Sequence, residues 1–323
     1  MTYTLEQLRG LVAVAEELHF GRAAARLRMT QPPLSRQIQK LEAAVDVRLL
    51  DRDKQRVALT PAGEAFLVEA RRILAIAEAA PDLARRIHSG SRGVVRLGFT
   101  AASTFGTLGC ILNRLEQSLP EVRIELFEMV TREQIDALAG EDIDLGLARP
   151  PFDSELFDSR LIQREALLLA VTAGHRLAGL GRPARADDLT GEPLIFHSQR
   201  KARYFHDLMI SMIPLAQERV VHSVSQILTM LWLVSAGRGV AFVPASATLL
   251  GIPHVEFIPL ATHVPRPVEL HLLWPRHSRN PALARVLATL EDLAAQEPPS
   301  GPAVPPCADA VEETETEAAS HPA

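Results

Sequence analysis

The 323-residue chain lacks the features that mark membrane, secreted and disulfide-bonded proteins. Its apolar runs, such as residues 166–171, fall far short of the roughly 20 residues that a membrane span requires. The N-terminal residues show no basic start followed by an apolar core, so no secretory signal is expected. Two cysteines are too few for a disulfide framework or a tetracysteine zinc site. These absences favour a cytoplasmic protein with no membrane partner.

Signatures of catalytic, metal and nucleotide sites are also missing. The eleven histidines are scattered, without the H-x-x-x-H spacing of a helical metal site. No G-x-S-x-G, P-loop or G-x-G-x-x-G motif occurs, and the lone G-x-G at 237–239 favours a turn from helix to strand. We therefore expect no catalytic residue, no metal ligand and no cofactor. A metabolic enzyme of α/β fold stays open as an alternative.

The net charge of -5 conceals an uneven distribution. Residues 18–60 carry nine Lys and Arg against four Asp and Glu, while residues 298–323 carry five acidic residues and no Lys or Arg. The basic block indicates a polyanionic partner. The acidic tail has almost no large apolar residue, so it is predicted to be disordered.

Three helices and a hairpin are predicted before residue 60. Apolar residues at helical spacing indicate helices at 4–18, at 22–28 and from Thr30, as its cap, to about residue 45. Residues 48–60 favour a two-stranded wing with a charged tip. This combination is typical of a winged helix-turn-helix, whose third helix enters the DNA major groove.

The outward face of the third helix carries side chains suited to reading DNA. Leu34 and Ile38 mark its buried stripe, and Arg36 and Lys40 point the opposite way. Basic side chains can meet phosphates or guanine edges, and glutamines can bond bases. An ordinary solvated amphipathic helix has the same periodicity and stays open on this pattern alone. The predicted DNA-binding residues are Thr30, Gln31, Pro32, Pro33, Ser35, Arg36, Gln37, Gln39, Lys40 and, on the wing, Arg52 and Arg56.

A long helix is predicted from Pro61 to about residue 88, with Thr60 as its cap. Pro81 predicts a kink or a break in this helix. Its apolar side, formed by Phe66, Ala70, Ile73 and Ala77, must be buried against something, so we expect the helix to join two chains. Residues 89–93 have the composition of a hinge.

Beyond this hinge, strands alternate with helices, which predicts an α/β region with mostly parallel sheets. Its roughly 200 residues could form one domain or two small lobes. Helices are expected at 104–118, 131–139, 201–212, 224–236 and 281–296, and strands at 94–99, 122–128, 143–148, 166–172, 193–197, 219–222, 239–243, 255–258 and 268–274.

The segment LHFGRAAARLRMTQPPLSRQIQKLEAAVDVRLLDRDKQRVALTPAGEAFL resembles the N-terminal signature of LysR-type transcriptional regulators. The shared elements are F-x-x-A-A-x-x-L, Q-x-x-L-S-x-Q-I-x-x-L-E and L-L-x-R-x-x-x-x-V-x-L-T-x-A-G, in order over about 60 residues. Residues 92–297 resemble the effector region of that family, particularly in members that respond to aromatic acids and muconate-type ring-cleavage products. Leu50 departs from the phenylalanine that is usual there.

The resemblance implies an α/β protein with an N-terminal all-α winged helix-turn-helix domain and a two-lobed, periplasmic-binding-protein-like effector domain. It also implies a homodimer or homotetramer that binds double-stranded operator DNA, works with RNA polymerase, and acts as activator or repressor in aromatic catabolism. The expected divisions are the DNA-binding domain at 1–60, the dimerisation helix and hinge at 61–91, the effector domain at 92–297 (lobe I about 92–163 and 265–297, lobe II about 164–264) and the tail at 298–323.

Two predicted strands run directly into helix N-termini, and ligands of open α/β sheets bind at such strand ends. One strand ends at Phe99 before Thr100–Thr104, and another ends at Met129 before Thr131 as a helix cap. The free N–H groups and partial positive charge of helix starts suit a carboxylate, and Arg149 after a third strand could add a bidentate fork. Simple capping by the hydroxyls and a structural ion pair of Arg149 stay open.

The family resemblance supports this site and places Ala202 and Tyr204 beside the ligand. Ala102 stands where muconate-responsive members commonly have serine, which leaves the identity of the ligand open. We therefore predict a LysR-type regulator controlled by a small carboxylate effector, an aromatic acid or an unsaturated dicarboxylate. A free-standing solute-binding protein is the alternative, but it leaves the first 60 residues unexplained. The predicted effector-binding residues are Thr100, Ala101, Ala102, Ser103, Thr104, Thr131, Arg149, Ala202 and Tyr204.

Overall fold

A computed structural model describes residues 3–53, 56–212 and 219–291, with backbone alone for residues 52, 53 and 56. The chain forms two compact units, residues 1–86 and residues 87–323. The predicted disordered tail at 298–323 lies outside the described residues. No described helix has both the length and the apolar character needed to cross a bilayer.

The first unit surrounds one apolar core with short helices and a wing. Leu8, Leu34 and Ile38 are fully buried in this core, as their helical spacing predicts. The two wing strands pair antiparallel, which confirms the predicted hairpin. The elements are α1 (Leu5–Glu17), α2 (Phe20–Arg26), α3 (Gln31–Val45), β1 (Leu50–Asp53), β2 (Arg56–Leu59) and α4 (Pro61–His88), which ends in the second unit.

Two helix starts in this unit differ from the prediction. Helix α2 begins two residues early because His19 caps it, with Nδ1 accepting the N–H groups of Gly21 and Arg22 at 3.0 and 3.2 Å. Thr30 precedes α3 as expected, but its hydroxyl makes no capping hydrogen bond. A capping oxygen accepts from the second or third helical N–H, and here Pro32 and Pro33 occupy those positions without an N–H.

Helix α4 continues past Pro81, so of the predicted kink or break the break does not occur. Thr60 caps it as predicted, because its hydroxyl accepts the N–H of Gly63 at 2.9 Å. Residues 78–86 are exposed along their whole length, so water can satisfy the carbonyl that Pro81 leaves without a donor.

The second unit contains two five-stranded sheets connected by two chain crossings. The chain passes from the first sheet to the second at Ala166 and returns between Pro259 and Val268. Its elements are β3 (Gly93–Phe99), α5 (Thr107–Ser118), β4 (Val122–Glu128), α6 (Thr131–Ala139), β5 (Leu145–Ala148), β6 (Phe157–Glu165), β7 (Leu167–Thr172), β8 (Leu194–His197), α7 (Arg203–Met212), β9 (Val220–Val224), α8 (Ile227–Ser235), β10 (Val240–Pro244), β11 (Val255–Pro259), β12 (Val268–Pro275) and α9 (Pro281–Thr289).

The prediction of mostly parallel sheets is wrong. The strand orders are β4-β3-β5-β12-β6 and β11-β7-β10-β8-β9, and each sheet has two parallel and two antiparallel pairs. Strand β6 escaped prediction because it is an edge strand with charged and polar residues between its few apolar ones. Helix α9 ends at Thr289, short of the predicted residue 296.

Candidate DNA interface and effector site

The face of α3 opposite the core is open to solvent and carries basic groups. Arg36 and Lys40 form no ion pair with any residue that the structure describes. Gln37 is half-buried, and its Oε1 would lie 3.4 Å from a Cβ placed on Gly10 of α1. Of the predicted DNA contacts on α3, Thr30, Gln31, Pro32, Arg36, Gln39 and Lys40 are exposed, and Pro33, Ser35 and Gln37 are half-buried.

The wing is tied to α3 through Glu42. Its Oε1 accepts the backbone N–H groups of Leu49 and Leu50 at 2.9 and 3.1 Å. The backbone places Arg52 opposite Val57 and Arg56 opposite Asp53 in the hairpin, and the side chains of both arginines are outside the described part of the chain. These two hydrogen bonds to Glu42 therefore fix the start of the wing against helix α3.

A shared carboxylate links three helices of the first unit. Glu16 of α1 lies 2.7 Å from Arg26 of α2 and 2.8 Å from Arg71 of α4. Hydrogen bonds from Arg71 and Arg26 hold the pKa of the Glu16 carboxyl below its ordinary value. This network supplements the apolar core in fixing α4 against the DNA-binding helices.

In the second unit, three predicted effector residues meet at one edge of the first sheet. Thr100 and Arg149 follow the neighbouring strands β3 and β5, which pair through Phe99 and Leu147. Thr131 joins them, because its Oγ1 accepts the backbone N–H of Arg149 at 3.3 Å.

Thr131 is not the helix cap that the sequence predicts. Val130 is the cap residue, and its N–H donates to Glu133 Oε2 at 3.1 Å. Thr131 is the first residue of α6 instead, so its hydroxyl is available to accept from Arg149.

Residues 101–104 form a short 3₁₀ turn and not the start of an α-helix. Ser103 is buried, and its hydroxyl donates to the carbonyl of Thr100 at 2.6 Å. The hydroxyl of Thr104 donates to Ala101 in the same way at 2.6 Å. The predicted helix start here is therefore wrong, since these hydroxyls close the turn and α5 begins only at Thr107. Ala102 packs against the core of the second sheet.

Arg149 is almost completely buried, with 3% of its surface exposed. Its Nη1 donates to the carbonyl of Glu269 at 2.8 Å, and its Nη2 lies 3.8 Å from Oε1 of the equally buried Glu165. The guanidinium carbon lies 4.8 Å from the ring centroid of Phe205 and 5.5 Å from that of Tyr204. Burial lowers the pKa of Arg149, and Glu165 opposes this effect. The ion pair that the sequence left open is therefore present.

Tyr204 connects α7 of the second sheet with the start of β12. Its hydroxyl donates to the carbonyl of Pro267 at 3.2 Å and accepts the N–H of Glu269 at 2.7 Å. Burial raises the pKa of Tyr204. Ala202 is half-buried just before α7, and its N–H donates to Ser198 at 2.8 Å.

Sequence reasoning missed three residues around Arg149, namely Glu165, His197 and Ser246. Glu165 Oε2 accepts the backbone N–H of Ser246 at 2.8 Å. The imidazole of His197 stacks on Phe205 with ring centroids 4.7 Å apart, and its Nε2 lies 2.9 Å from the carbonyl oxygen of Phe242. Burial lowers the pKa of His197 to about 4. We call the residues Thr100, Thr131, Arg149, Glu165, His197, Phe205 and Ser246 the seam, because they lie where elements of the two sheets meet.

Four polar atoms of the seam are buried without a hydrogen-bond partner among the described residues. They are Thr100 Oγ1, Arg149 Nε, His197 Nδ1 and Ser246 Oγ. Each such atom costs about 1–3 kcal/mol, and native proteins leave few of them. No group of three potential metal ligands occurs in the described part of the chain.

A winged helix-turn-helix with exposed basic side chains, followed by a separate α/β unit, is the architecture of a DNA-binding regulator. Two family models match the chain. "Bacterial regulatory helix-turn-helix protein, lysR family" covers residues 5–64, and "LysR substrate binding domain" covers residues 88–295. The chain belongs to the LysR family of transcriptional regulators; it is a DNA-binding regulator with an effector-binding domain and not an enzyme.

Full-length relatives share this two-part organisation. The Hca operon transcriptional activator HcaR of Escherichia coli is 32% identical over 290 residues, which cover 89% of this chain and 97% of HcaR. The regulator BenM of Acinetobacter baylyi is 33% identical over 259 residues, 79% of this chain and 85% of BenM. The solved structure of full-length CbnR complexed with its target DNA is similar with a TM-score of 0.77 and 28% identity, covering 90% of this chain and 99% of CbnR.

Proposed function

We propose that this regulator binds operator DNA through α3 and the wing, and that a small organic carboxylate bound at the seam controls it. The observation that carries the proposal is the set of unpartnered polar atoms around the buried Arg149. Arg149 Nε and the hydroxyls of Thr100 and Ser246 are donors, and a carboxylate supplies the acceptors that they lack. The rings of Tyr204 and Phe205 beside the guanidinium favour a planar or unsaturated carbon skeleton, as in aromatic acids and unsaturated dicarboxylates.

Binding at a closed seam provides a way to transmit the signal. The unpartnered atoms have almost no contact with solvent, so the ligand enters only when elements of the two sheets separate. Once bound, it satisfies atoms that are unpaired in the free state. A ligand shifts a conformational equilibrium only through such a difference in affinity between two states. We infer that effector binding changes the relative position of the two sheets.

The wider setting follows from the family and from α4. Val68 and Ile76 of α4 are 64% and 63% exposed, which supports a homodimer or a homotetramer that covers them. Relatives include proteins named as operon transcriptional activators, which supports transcriptional activation of an operon. That the operon is a neighbouring one, that the regulator acts in the cytoplasm and that it works with RNA polymerase belong to the same proposal. Repression through the same operator is part of this proposal.

Replacement of Thr100 by valine tests the seam. Valine has nearly the shape of threonine and removes an unpartnered buried hydroxyl, so the free protein should melt at the same or a higher temperature. Carboxylate hits from a thermal-shift screen of benzoates, muconates and other dicarboxylates should bind more weakly. Wild-type protein should gain about 2.7 kcal/mol at a hundredfold excess of ligand over Kd.

Thr262→Val is the matched control, since the hydroxyl of this half-buried threonine donates to the nearby carbonyl of Val264 and to no other group that the structure describes. It should leave carboxylate binding unchanged, and neither variant should lose operator binding in a mobility-shift assay. A screen whose only hits are amines or neutral sugars would refute the proposed site.

A further inference from the structure

We propose that the effector is a hydroxy acid, a small carboxylate that also carries a hydroxyl group, and that His197 recognises this hydroxyl. The inference rests on the proposed carboxylate site and adds a second functional group to its ligand. It begins from His197 Nδ1, the one unpartnered atom of the seam that is only an acceptor and that an ionised carboxylate therefore cannot bond.

The hydrogen bond of His197 fixes its tautomer. Its Nε2 lies 2.9 Å from the carbonyl oxygen of Phe242. Because a carbonyl oxygen can only accept, Nε2 must carry the proton. Burial holds the pKa of His197 near 4, so the ring is neutral at pH 7 and Nδ1 is a bare acceptor. This Nδ1 is buried, and none of the described residues donates to it.

The side chains of His197 and Arg149 both contact the ring of Phe205. His197 contributes the unpartnered acceptor Nδ1, and Arg149 contributes the unpartnered donor Nε. The His197 ring stacks on Phe205 with centroids 4.7 Å apart and an interplanar angle of 18°. The guanidinium carbon of Arg149 lies 4.8 Å from the centroid of the same phenyl ring. Both polar groups therefore contact the same phenyl ring, and the proposal is that one small molecule bonds both of them.

The chemistry of the two atoms defines the ligand. Arg149 Nε needs an acceptor, which a carboxylate provides. His197 Nδ1 needs a donor, and an ionised carboxylate has none. A hydroxyl group on the same molecule supplies it, whereas the parent acid without a hydroxyl leaves Nδ1 buried and unpaired. A site built to bond a hydroxyl rejects the analogue that lacks it strongly, so we expect at least a ~10-fold preference.

Matched pairs of acids test the inference on the full-length protein by isothermal calorimetry. The probes are benzoate against its three monohydroxy isomers, succinate against malate, and butanoate against 3-hydroxybutanoate. At least one hydroxy acid should bind ~10-fold or more tightly than its parent. His197→Phe keeps a flat ring against Phe205 but removes the acceptor, so it should abolish this preference.

His206→Phe is the control, because His206 lies on the same helix as Phe205 but is half-buried and hydrogen-bonded to Asp207. It should retain the preference for the hydroxy acid. A measurement on wild-type protein avoids dependence on how the variants fold: the nitrogen-15 resonance of His197 Nδ1 should shift with the hydroxy acid and not with its parent.

The outcomes separate this inference from the proposal on which it rests. Carboxylates that bind equally with and without a hydroxyl would overturn the hydroxy-acid assignment and leave the carboxylate site intact. A hydroxyl preference that survives in His197→Phe would overturn the role of His197. If none of the acids binds, both proposals fail.

Discussion

A buried arginine needs protein groups that replace the hydrogen bonds it would make with water. The seam provides such partners for only part of the Arg149 guanidinium. One nitrogen has a carbonyl partner, a second lies 3.8 Å from the Glu165 carboxylate, and the third has no partner. Glu165 in turn accepts the N–H of Ser246 from the second sheet. Each charge thus depends on groups from both sheets, which suits a site that changes when the sheets move.

The burial of His197 predicts a specific pH dependence of stability. The ring stays neutral in the folded protein down to about pH 4, whereas in the unfolded chain it takes up a proton below about pH 6.5. The unfolded state therefore binds more protons between these values, and stability falls as the pH drops from 6.5 to 4. The difference between the two pKa values corresponds to about 3 kcal/mol.

Urea unfolding of wild type and His197→Phe across this pH range measures the effect. The variant should lose less stability than wild type on acidification, and the two curves should run parallel above pH 7. Equal slopes for wild type and His197→Phe would show that His197 does not titrate in this way.

At the scale of elements, local patterns predicted most helices and strands, and failures came where partners lie far away in the chain. Strand β4 and helix α6 have the predicted bounds, since each shows a clear apolar period. Strand β6 was missed because its pairing with β12 joins residues about a hundred positions apart. The capping of α3 failed for a local reason, because two prolines remove the donors that Thr30 would need.

The same distinction applies to the candidate site. Thr100, Thr131 and Arg149 could be selected because each follows a recognisable strand, and such strand ends share one edge of a sheet. His197 and Ser246 could not, because the second sheet meets the first only through the two chain crossings, and Glu165 could not, because it ends the unpredicted strand β6. The spacing of apolar residues predicts where a strand lies in the sequence, but it does not predict which of the two sheets the strand joins.

The position of Arg36 on helix α3 predicts that its side chain contacts a base of the operator and not only the phosphate backbone. Arg36 lies at the centre of the exposed face, so Arg36→Ala should cost about 1–3 kcal/mol on the specific operator if it reads a base. The loss on random DNA should be smaller, and fluorescence anisotropy with both DNAs measures the difference. Arg72→Ala, an exposed arginine of α4, is the control and should leave both affinities unchanged. An unaltered operator affinity of Arg36→Ala would remove it from the interface.

At the scale of the whole molecule, the face of α4 that the sequence favoured for dimerisation is covered within the chain, because Ala70 is buried and Phe66 and Ile73 pack against the core of the first unit. A different face of α4 carries more exposed apolar surface than a monomer requires. Val68, Ile76 and Leu83 are 64%, 63% and 36% exposed and recur at spacings of eight and seven residues, which places them on one side of the helix. Surface of this kind in a soluble protein marks an interface. A second copy of α4 is the partner we propose, because a pair of DNA-binding units needs a fixed spacing to recognise two half-sites.

A fragment of residues 1–90 should therefore dimerise at micromolar concentration in analytical ultracentrifugation. Ile76→Glu should make it monomeric, since a charge buried in an apolar interface is strongly unfavourable. Leu5→Glu is the matched control, because Leu5 is also exposed but lies on α1. The dimer should protect two half-sites about one helical turn apart, or a multiple of it, whereas the Ile76→Glu fragment should protect one at most. A wild-type fragment that stays monomeric, or a dimer that Ile76→Glu leaves intact, would move the dimer interface away from this face of α4.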